Sequence, residues 1–139
     1  MPADDARTAD ANAWLRRARE DLRAAAHDLT AEPPLLDDVA FHAQQAAEKA
    51  LKALLTWHDK PFRKTHSIEE LGEACLAIDA TLKEAIDPAV PLSEYAWKHR
   101  YPGDAQSLTR DEADRAVTVA RTLLDAVTSG LSAQGPSQS

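Results

Sequence analysis

The apolar residues of this chain recur at the spacing of amphipathic helices, and no segment of β-branched and aromatic residues alternates with the period of a strand. The pattern is strongest over residues 41–55, where alanines and leucines cover more of the predicted helix than the stripe that a surface helix buries. An apolar arc of that width requires neighbours on two sides. We therefore predict that this helix lies at the centre of a bundle or is shared between two subunits.

Two long helices are predicted in the first half of the chain. The first runs from about Asn12 to Leu29 and ends ahead of a pair of prolines, which cannot continue it. The second begins where Asp37 or Asp38 accepts a backbone N–H as the N-cap, and it continues to about His58. The short connection between them predicts that the two helices pack antiparallel.

Capping boxes mark the starts of two further helices. Residues 67–70 (Ser-Ile-Glu-Glu) begin the third helix, and residues 109–112 (Thr-Arg-Asp-Glu) begin the last one, which Gly130 is placed to terminate. Prolines interrupt the stretch between these helices. We therefore predict a short helical turn near residues 81–86 and another short helix over residues 92–98.

The predicted fold is all-α: an up-and-down bundle of four main helices plus one or two short helices. Residues 11–130 form the bundle, which has a normal size for one domain. Residues 1–10 and 131–139 have small and polar compositions that do not require a packing partner. We expect these two ends to be a flexible N-terminus and a disordered C-terminal tail.

Composition narrows the functional class. The formal net charge of −7 argues against broad electrostatic attachment to nucleic acid. Four arginines are nevertheless grouped within residues 16–23, where they form either a solvated face or a local basic site. The single cysteine, Cys75, excludes an intramolecular disulfide. The sequence has no long apolar run and no signal-like start, so we expect a soluble cytoplasmic protein without membrane contact.

The densest candidate for chemistry is the segment of residues 95–104, which holds two tyrosines, a tryptophan and three basic side chains beside a proline and glycine turn. Basic groups next to aromatic faces suit phosphate and base recognition, because the cation neutralises the phosphate while a ring stacks on the base. The alternative is structural. In that case Trp97 and Tyr101 anchor a loop over the core, and Arg100 pairs with an acid such as Asp104.

A second candidate lies just before the third helix, where Lys64 and His66 precede the capping serine. His66 is either a partly exposed base or donor, or a member of the helix cap. No His or Cys spacing typical of a metal site occurs, so we expect neither a metal nor a cofactor. The glycine-rich loops that bind nucleotide phosphates are absent from the sequence.

Polar residues accompany the apolar pattern of the second helix. Glu48 and Lys52 are one turn apart and are predicted to form a solvated pair. Gln44 and Gln45 either hydrogen-bond across a helix interface or lie on the surface.

Three segments in this order resemble the HEPN domain family over about residues 11–130. They are residues 41–55, with their alanine-rich Gln-Gln-Ala-Ala-Glu-Lys core, residues 64–71 (Lys-Thr-His-Ser-Ile-Glu-Glu-Leu) and residues 100–102 (Arg-Tyr-Pro). The resemblance implies a compact helical bundle that commonly forms a homodimer. It also implies a minimal nucleotidyltransferase as the partner protein, since the two are often encoded side by side in two-component toxin–antitoxin systems.

Many HEPN relatives are metal-independent ribonucleases. In those, an arginine is followed after four to six residues by a histidine, and both subunits contribute to a composite site. The histidine serves as general acid or base, and the arginine binds phosphate. Here Arg100 has no histidine at that spacing. The nearest substitutes are His99 and His66, so the resemblance gives His99 and Arg100 as candidate catalytic residues of a non-standard site.

The resemblance therefore favours a nucleotide- or RNA-phosphate-binding component of a HEPN and minimal nucleotidyltransferase system. Its expected phosphate-binding residues are Lys64, His66, Lys98, Arg100 and Tyr101, and Tyr101 is also a candidate nucleotidyl acceptor. The alternative is a metal-independent endoribonuclease toxin. A third interpretation is a helical dimerisation element that binds no ligand.

Overall fold

The computed structural model describes residues 2–94 and 108–133 of the chain. Its helices are α1 (Pro2–Leu29), α2 (Leu36–Trp57), α3 (Ile68–Ile78), α4 (Lys83–Ile86) and α5 (Arg110–Ala133). Single 3₁₀ turns, Ala80–Leu82 and Asp87–Ala89, flank α4. These ranges contain no strand, so the predicted all-α bundle is confirmed. None of the helices described here combines the length and the apolar composition that a membrane crossing needs.

Helix α2 is the centre of the bundle, because it packs against α1, α3 and α5. Its buried side chains include six alanines, which allow the neighbouring helices to approach closely. The six are Ala40, Ala43, Ala46, Ala47, Ala50 and Ala53. This central position explains the wide apolar arc of the α2 sequence.

Helices α1 and α2 pack antiparallel, as predicted. Asp28, near the end of α1, lies 4.0 Å from His42 near the start of α2. Trp14, much earlier in α1, lies against Lys52 near the end of α2. Contacts that advance along one helix therefore retreat along the other.

The connection between α2 and α3 doubles back along α2. His66 reaches Glu48 in the middle of α2 through a contact of 3.0 Å, and Cys75 in α3 donates to the Leu51 carbonyl at 3.5 Å. These contacts place the connection and α3 against the middle of α2. This return path brings residues 62–66 against a polar face of α2.

Helix α1 begins at Pro2, whereas the sequence pattern predicted a start near Asn12. The predicted start was wrong because a helix needs no apolar face to extend over residues 2–10, where three alanines favour it and two aspartates lie near its positively polarised N-terminus. A proline at the first helical position is also favourable, since its missing N–H would have no helical partner there. Ala11 is fully buried and anchors the helix just after this polar stretch. The predicted division of the chain into a flexible N-terminus, a bundle over residues 11–130 and a disordered tail stays a prediction.

Helix α5 continues through Gly130 to Ala133, so the predicted termination at Gly130 was wrong. Leu131 is only 4% exposed, and its burial is worth about 2 kcal/mol, against about 1 kcal/mol for the cost of a helical glycine. The apolar side chains that α5 turns toward the bundle are buried: Ala113, Ala116, Val117, Ala120, Leu123, Leu124 and Val127.

The two predicted capping boxes form to different extents. In α5 the box is complete, because the Thr109 N–H donates to Glu112 Oε1 at 2.9 Å and the Glu112 N–H donates to the Thr109 hydroxyl at 3.1 Å. In α3 the Ser67 hydroxyl accepts from the Glu70 N–H at 3.1 Å. The Glu70 carboxylate, however, binds the Arg63 guanidinium instead of returning to the cap.

Helix α2 has a start that the sequence did not predict. Its N-cap is Leu35, which makes no side-chain hydrogen bond to the helix. The predicted caps, Asp37 and Asp38, lie inside the first turn. Their negative charges are favourable there because the helix N-terminus carries a partial positive charge.

The short helices lie near their predicted positions. The turn predicted at residues 81–86 corresponds to the first 3₁₀ turn and α4. Residues 92–94 are helical at the start of the helix predicted over residues 92–98. The rest of that predicted helix lies outside the described residues.

Candidate functional site

A row of polar side chains is buried on α2, at Gln44, Glu48 and Lys52. Their spacing of four residues places all three on one face of the helix, and we refer to them as the polar row. Glu48 is 2% exposed and Lys52 is 7% exposed, so the prediction of a solvated Glu48–Lys52 pair was wrong. Trp14 of α1 and the returning segment of residues 62–66 lie over these side chains and shield them from solvent.

Glu48 is the centre of the polar row. Its Oε2 accepts a hydrogen bond from Lys52 Nζ at 2.9 Å. Its Oε1 accepts from Gln44 Nε2 at 3.0 Å and lies 3.0 Å from His66 Nδ1. A carboxylate buried this deeply requires a counter-charge and hydrogen-bond donors, and the three neighbours supply both.

Gln44 uses both ends of its amide within this cluster. Its Nε2 also donates to the His66 carbonyl at 3.3 Å, and its Oε1 accepts from Gln45 Nε2 at 2.8 Å. Because Nε2 faces two acceptors and Oε1 faces a donor, the orientation of the amide follows from its partners. Gln44 therefore ties α2 to the segment before α3, which decides between its two predicted roles in favour of the interface.

Aromatic rings cover the ammonium group of Lys52. Its Nζ lies 5.4 Å from the centroid of the Trp14 ring and 5.8 Å from that of Phe62. The two rings meet edge to face, with their centroids 6.4 Å apart. Their faces attract the cation, and their bulk keeps water from the Glu48–Lys52 pair, which strengthens the attraction between the two charges.

His66 is the member of the cluster that reaches the surface, with 62% of its side chain exposed. An ionised carboxylate only accepts hydrogen bonds, so the proton shared by His66 and Glu48 belongs to Nδ1. The Nε2 edge of the ring is consequently directed away from Glu48. The neutral ring then offers Nε2 as a proton acceptor, and the doubly protonated ring offers it as a donor to a phosphate oxygen.

The backbone at His66 is fixed by the chain that leads into residues 95–107. The Ser93 hydroxyl donates to the His66 carbonyl at 3.3 Å and accepts from the Ile68 N–H at 3.0 Å. Ser93 lies two residues before the aromatic and basic segment that the sequence analysis singled out. The chain therefore enters that segment beside His66.

A comparison with protein-family models gives a match to the HEPN domain over residues 11–130, which is most of the chain. The chain belongs to the HEPN domain family. Comparisons with curated proteins and with solved structures give no match. In this HEPN domain the Glu48–His66 contact joins residues 41–55 to residues 64–71, which are two of the three segments that carried the resemblance.

Four of the predicted site residues of this HEPN domain, Lys98, His99, Arg100 and Tyr101, lie outside the described residues. Their assignment to phosphate binding, catalysis or nucleotidyl transfer stays a prediction, as does the alternative in which this segment only anchors a loop. Two other predicted residues, Lys64 and His66, are both exposed and lie two residues apart.

Sequence reasoning identified His66 but missed its partner Glu48. A Glu and a Lys at helical spacing are typical of a solvated helix surface, and only the fold reveals that Trp14 and Phe62 cover this pair. One local feature of the sequence does indicate that this pair is buried. The pair follows Gln44 on a helix whose other residues are mostly apolar, and a polar row in such a helix requires partners from elsewhere.

A second polar cluster joins α1 to α2. Asp21 Oδ1 lies 2.9 Å from His42 Nδ1, and Asp21 Oδ2 accepts a hydrogen bond from Lys49 Nζ. All three side chains are partly buried and bind one another. We interpret this cluster as a structural link between the two helices.

Other titratable side chains fit structural roles. Burial raises the pKa of the Cys75 thiol to about 12, so this cysteine stays protonated and is not a nucleophile. Burial and then the positive charge of Lys60 lower the pKa of His58 at the end of α2. Across residues 2–94 and 108–133, no three His, Cys, Asp or Glu side chains are grouped to hold a metal ion.

Proposed function

We propose that this HEPN domain binds the phosphate of a nucleotide or of RNA, as one component of a two-component HEPN and minimal nucleotidyltransferase system of the toxin–antitoxin type. The observation that carries the proposal is the exposed imidazole of His66. Buried Glu48 holds it at the point where Ser93 leads into residues 95–107. An imidazole held in this way donates to a phosphate oxygen from Nε2 when both of its nitrogens are protonated, and little side-chain freedom is lost when the ligand binds.

The distribution of charge supports a local site. The net charge of −7 repels an extended polyanion, so binding depends on a few grouped cations. Lys64 is exposed beside His66, and the predicted segment adds Lys98 and Arg100. The ring of Tyr101 then provides a face on which a base stacks.

Membership of the HEPN family supports the assembly part of the proposal. We infer a homodimer and a minimal nucleotidyltransferase partner. The partner transfers a nucleotidyl group from a nucleoside triphosphate to the Tyr101 hydroxyl, which loses its proton, and pyrophosphate leaves. The acidic net charge suits a partner with a basic surface. Co-expression with a minimal nucleotidyltransferase, followed by intact-mass measurement, tests the transfer. A mass increase that Tyr101→Phe abolishes supports it, and the same increase in Tyr101→Phe contradicts it.

Phosphate binding is tested by thermal unfolding of the purified chain with AMP and with decauridylate RNA in the presence of EDTA. We expect one or both to raise the melting temperature, and His66→Gln or Lys98→Gln/Arg100→Gln to reduce the rise. The matched control is Lys83→Gln, which removes an exposed lysine on α4. The proposal fails if the chain is monomeric and neither AMP, RNA nor a co-expressed transferase changes its melting temperature.

A second candidate function is metal-independent RNA cleavage, which the contact between Glu48 and His66 Nδ1 also favours. A histidine backed by a carboxylate can remove the proton of a ribose 2′-hydroxyl, which then attacks the phosphorus and displaces the 5′-oxygen. The products are a 2′,3′-cyclic phosphate and a 5′-hydroxyl. Cleavage is measured in EDTA for wild type, His66→Ala, His99→Ala and Arg100→Ala. Unchanged cleavage in all three variants would remove the proposed catalytic residues.

A further inference from the structure

The contact between Glu48 and His66 joins the buried carboxylate of the polar row to a largely exposed side chain. Lys52 already supplies the counter-charge of Glu48 at Oε2. His66 contacts the other oxygen, Oε1, although 62% of its side chain lies in solvent. Burial of apolar area therefore does not account for the position of the ring. The contact also restricts the rotation of an exposed imidazole, an ordering that costs conformational entropy on folding but is useful for binding.

We propose that Glu48 is a positioning residue for phosphate recognition: it accepts from His66 Nδ1–H, so that the doubly protonated ring can donate from Nε2 to the phosphate of a nucleotide or RNA. The inference deepens the proposed function and rests on it. Glu48 does not touch the ligand in this arrangement. Its own position is set by Lys52 and Gln44, which occupy its two oxygens from the same helix.

The backbone of His66 is fixed independently of Glu48. Its carbonyl accepts hydrogen bonds from Gln44 Nε2 and from the Ser93 hydroxyl, both at 3.3 Å. With the backbone held, loss of the Glu48 carboxylate removes the contact that fixes Nδ1 of the ring. Three χ1 wells and two ring orientations set an upper limit of about sixfold on the resulting loss of the binding-competent fraction. The affinity for phosphate falls by the same factor.

Two variants separate positioning from folding. Glu48→Gln keeps the shape of the side chain and removes its charge, but it leaves the Lys52 ammonium buried without a counter-charge. Glu48→Met/Lys52→Met removes both charges and keeps apolar side chains of similar length beside Trp14 and Phe62, so it is the variant expected to stay folded. The matched control is Lys83→Met/Asp87→Met, which removes the exposed ion pair of the same spacing on α4.

Two readouts are measured on each protein. One is the pair of ring ¹⁵N shifts of His66, which report where the ring proton lies. The other is the affinity for fluorescein-labelled decauridylate and for inorganic phosphate in EDTA. We expect wild type to carry a proton on Nδ1 without ligand and on both ring nitrogens with phosphate bound. Both Glu48 variants are expected to bind both probes more weakly, by up to about sixfold, and the double Met variant, which leaves Nδ1–H without its acceptor, is expected to lose the Nδ1 signature. The control is expected to match wild type in both readouts.

The inference is overturned if wild-type His66 carries its proton on Nε2 with an unprotonated Nδ1. That measurement needs no variant and stands even if Glu48→Gln fails to fold. The inference alone is overturned if His66→Gln weakens binding while the double Met variant binds like wild type. If His66→Gln binds both probes as wild type does, His66 is not part of the site and the proposed function itself fails at this residue.

Discussion

Two lysine–carboxylate pairs in this chain share a four-residue spacing and differ in burial. Lys52 Nζ lies 2.9 Å from Glu48 with 9% of the lysine side chain exposed, and Lys83 Nζ lies 2.8 Å from Asp87 with 68% exposed. An exposed pair contributes little because water screens it and two long side chains must be ordered. A buried pair behaves differently, since removing one partner leaves the other charge in a medium that solvates it poorly.

Lys52→Met is therefore expected to lower the free energy of unfolding by about 3–5 kcal/mol, whereas Lys83→Met changes it by less than about 0.5 kcal/mol. Urea unfolding of both variants beside wild type measures the difference. Similar small losses in the two variants would contradict the burial of the Glu48–Lys52 pair.

His58 connects the stability of the domain to pH. Burial, followed by the charge of Lys60, lowers the pKa of His58 in the folded protein, and Nε2 of this ring is buried without a hydrogen-bond partner in the described chain. The unfolded chain then binds more protons than the folded one between the lowered pKa and about 6.5. Stability contributed by the neutral ring is consequently present above that window and decreases as the pH falls through it.

We expect wild type to lose more stability than His58→Gln when the pH is lowered from 7.5 to 5.5. Urea unfolding at the two pH values gives the comparison, and His27→Gln, at an exposed position near the end of α1, is the control. Equal losses in wild type and His58→Gln would show that His58 is not responsible for the pH dependence.

At the scale of single residues, the sequence located His66 but not the groups that hold it. The proximity of a histidine to a capping serine is a local feature, and Ser67 does cap α3 as predicted. The burial of Glu48 depends on Trp14 and Phe62, which are far away along the chain. Helical spacing alone does not show whether distant residues such as these pack over a side chain.

The two glycines inside long helices provide a test at the scale of elements. A Cβ at Gly72 of α3 would lie 2.7 Å from the Cγ2 of Ile86, whereas a Cβ at Gly130 of α5 would meet nothing within 4 Å. Ile86 is fully buried and has no room to retreat. Gly72 therefore permits the close approach of α3 to the short helix α4.

Gly130→Ala is expected to stabilise the domain by up to about 1 kcal/mol, because alanine loses less backbone entropy in a helix. Gly72→Ala gains the same propensity but forces overpacking against Ile86, and we expect a net loss of about 1 kcal/mol. Urea unfolding of the two variants measures opposite shifts of the transition midpoint. Stabilisation by Gly72→Ala would contradict the close approach of α3 and α4.

The helices themselves were predictable, and their ends were less so. Apolar periodicity and the box at Thr109–Glu112 located α5, but its end depends on the burial of Leu131 beyond Gly130. Likewise, Leu35 precedes α2 without a side-chain cap, so the packing of the helix and not its cap determines where it begins. Signals in local sequence fail where tertiary burial exceeds the energy of a cap or of a glycine.

At the scale of the whole molecule, the class of the fold followed from the absence of strand patterns and from the wide apolar arc of α2. The path of residues 58–67 could not be predicted from the sequence pattern. Those residues return along α2 and place His66 beside Glu48, and that arrangement depends on long-range contacts such as Gln44 to the His66 carbonyl. The candidate site is therefore a product of the chain path, although each of its residues is visible in the sequence.

The acidic net charge of the molecule makes the salt dependence of RNA binding informative. If binding uses a local group of cations, namely Lys64, Lys98 and Arg100, about three phosphate contacts form. The logarithm of affinity for a single strand then falls with the logarithm of salt concentration with a slope of about −2. Diffuse attraction would require many more cations than a chain of net charge −7 presents on one surface.

We expect Lys98→Gln/Arg100→Gln to reduce the steepness of this slope by about 1.4, because each lost phosphate contact removes about 0.7. Arg16→Gln/Arg19→Gln removes the same total charge from an exposed face of α1 and is the matched control. Fluorescence anisotropy of labelled decauridylate from 50 to 300 mM salt measures all three slopes. Loss of net charge alone would affect the two double variants equally, whereas loss of direct phosphate contacts affects only one of them. A smaller slope for the α1 variant, with no change for Lys98→Gln/Arg100→Gln, would therefore show that the phosphate contacts lie on α1.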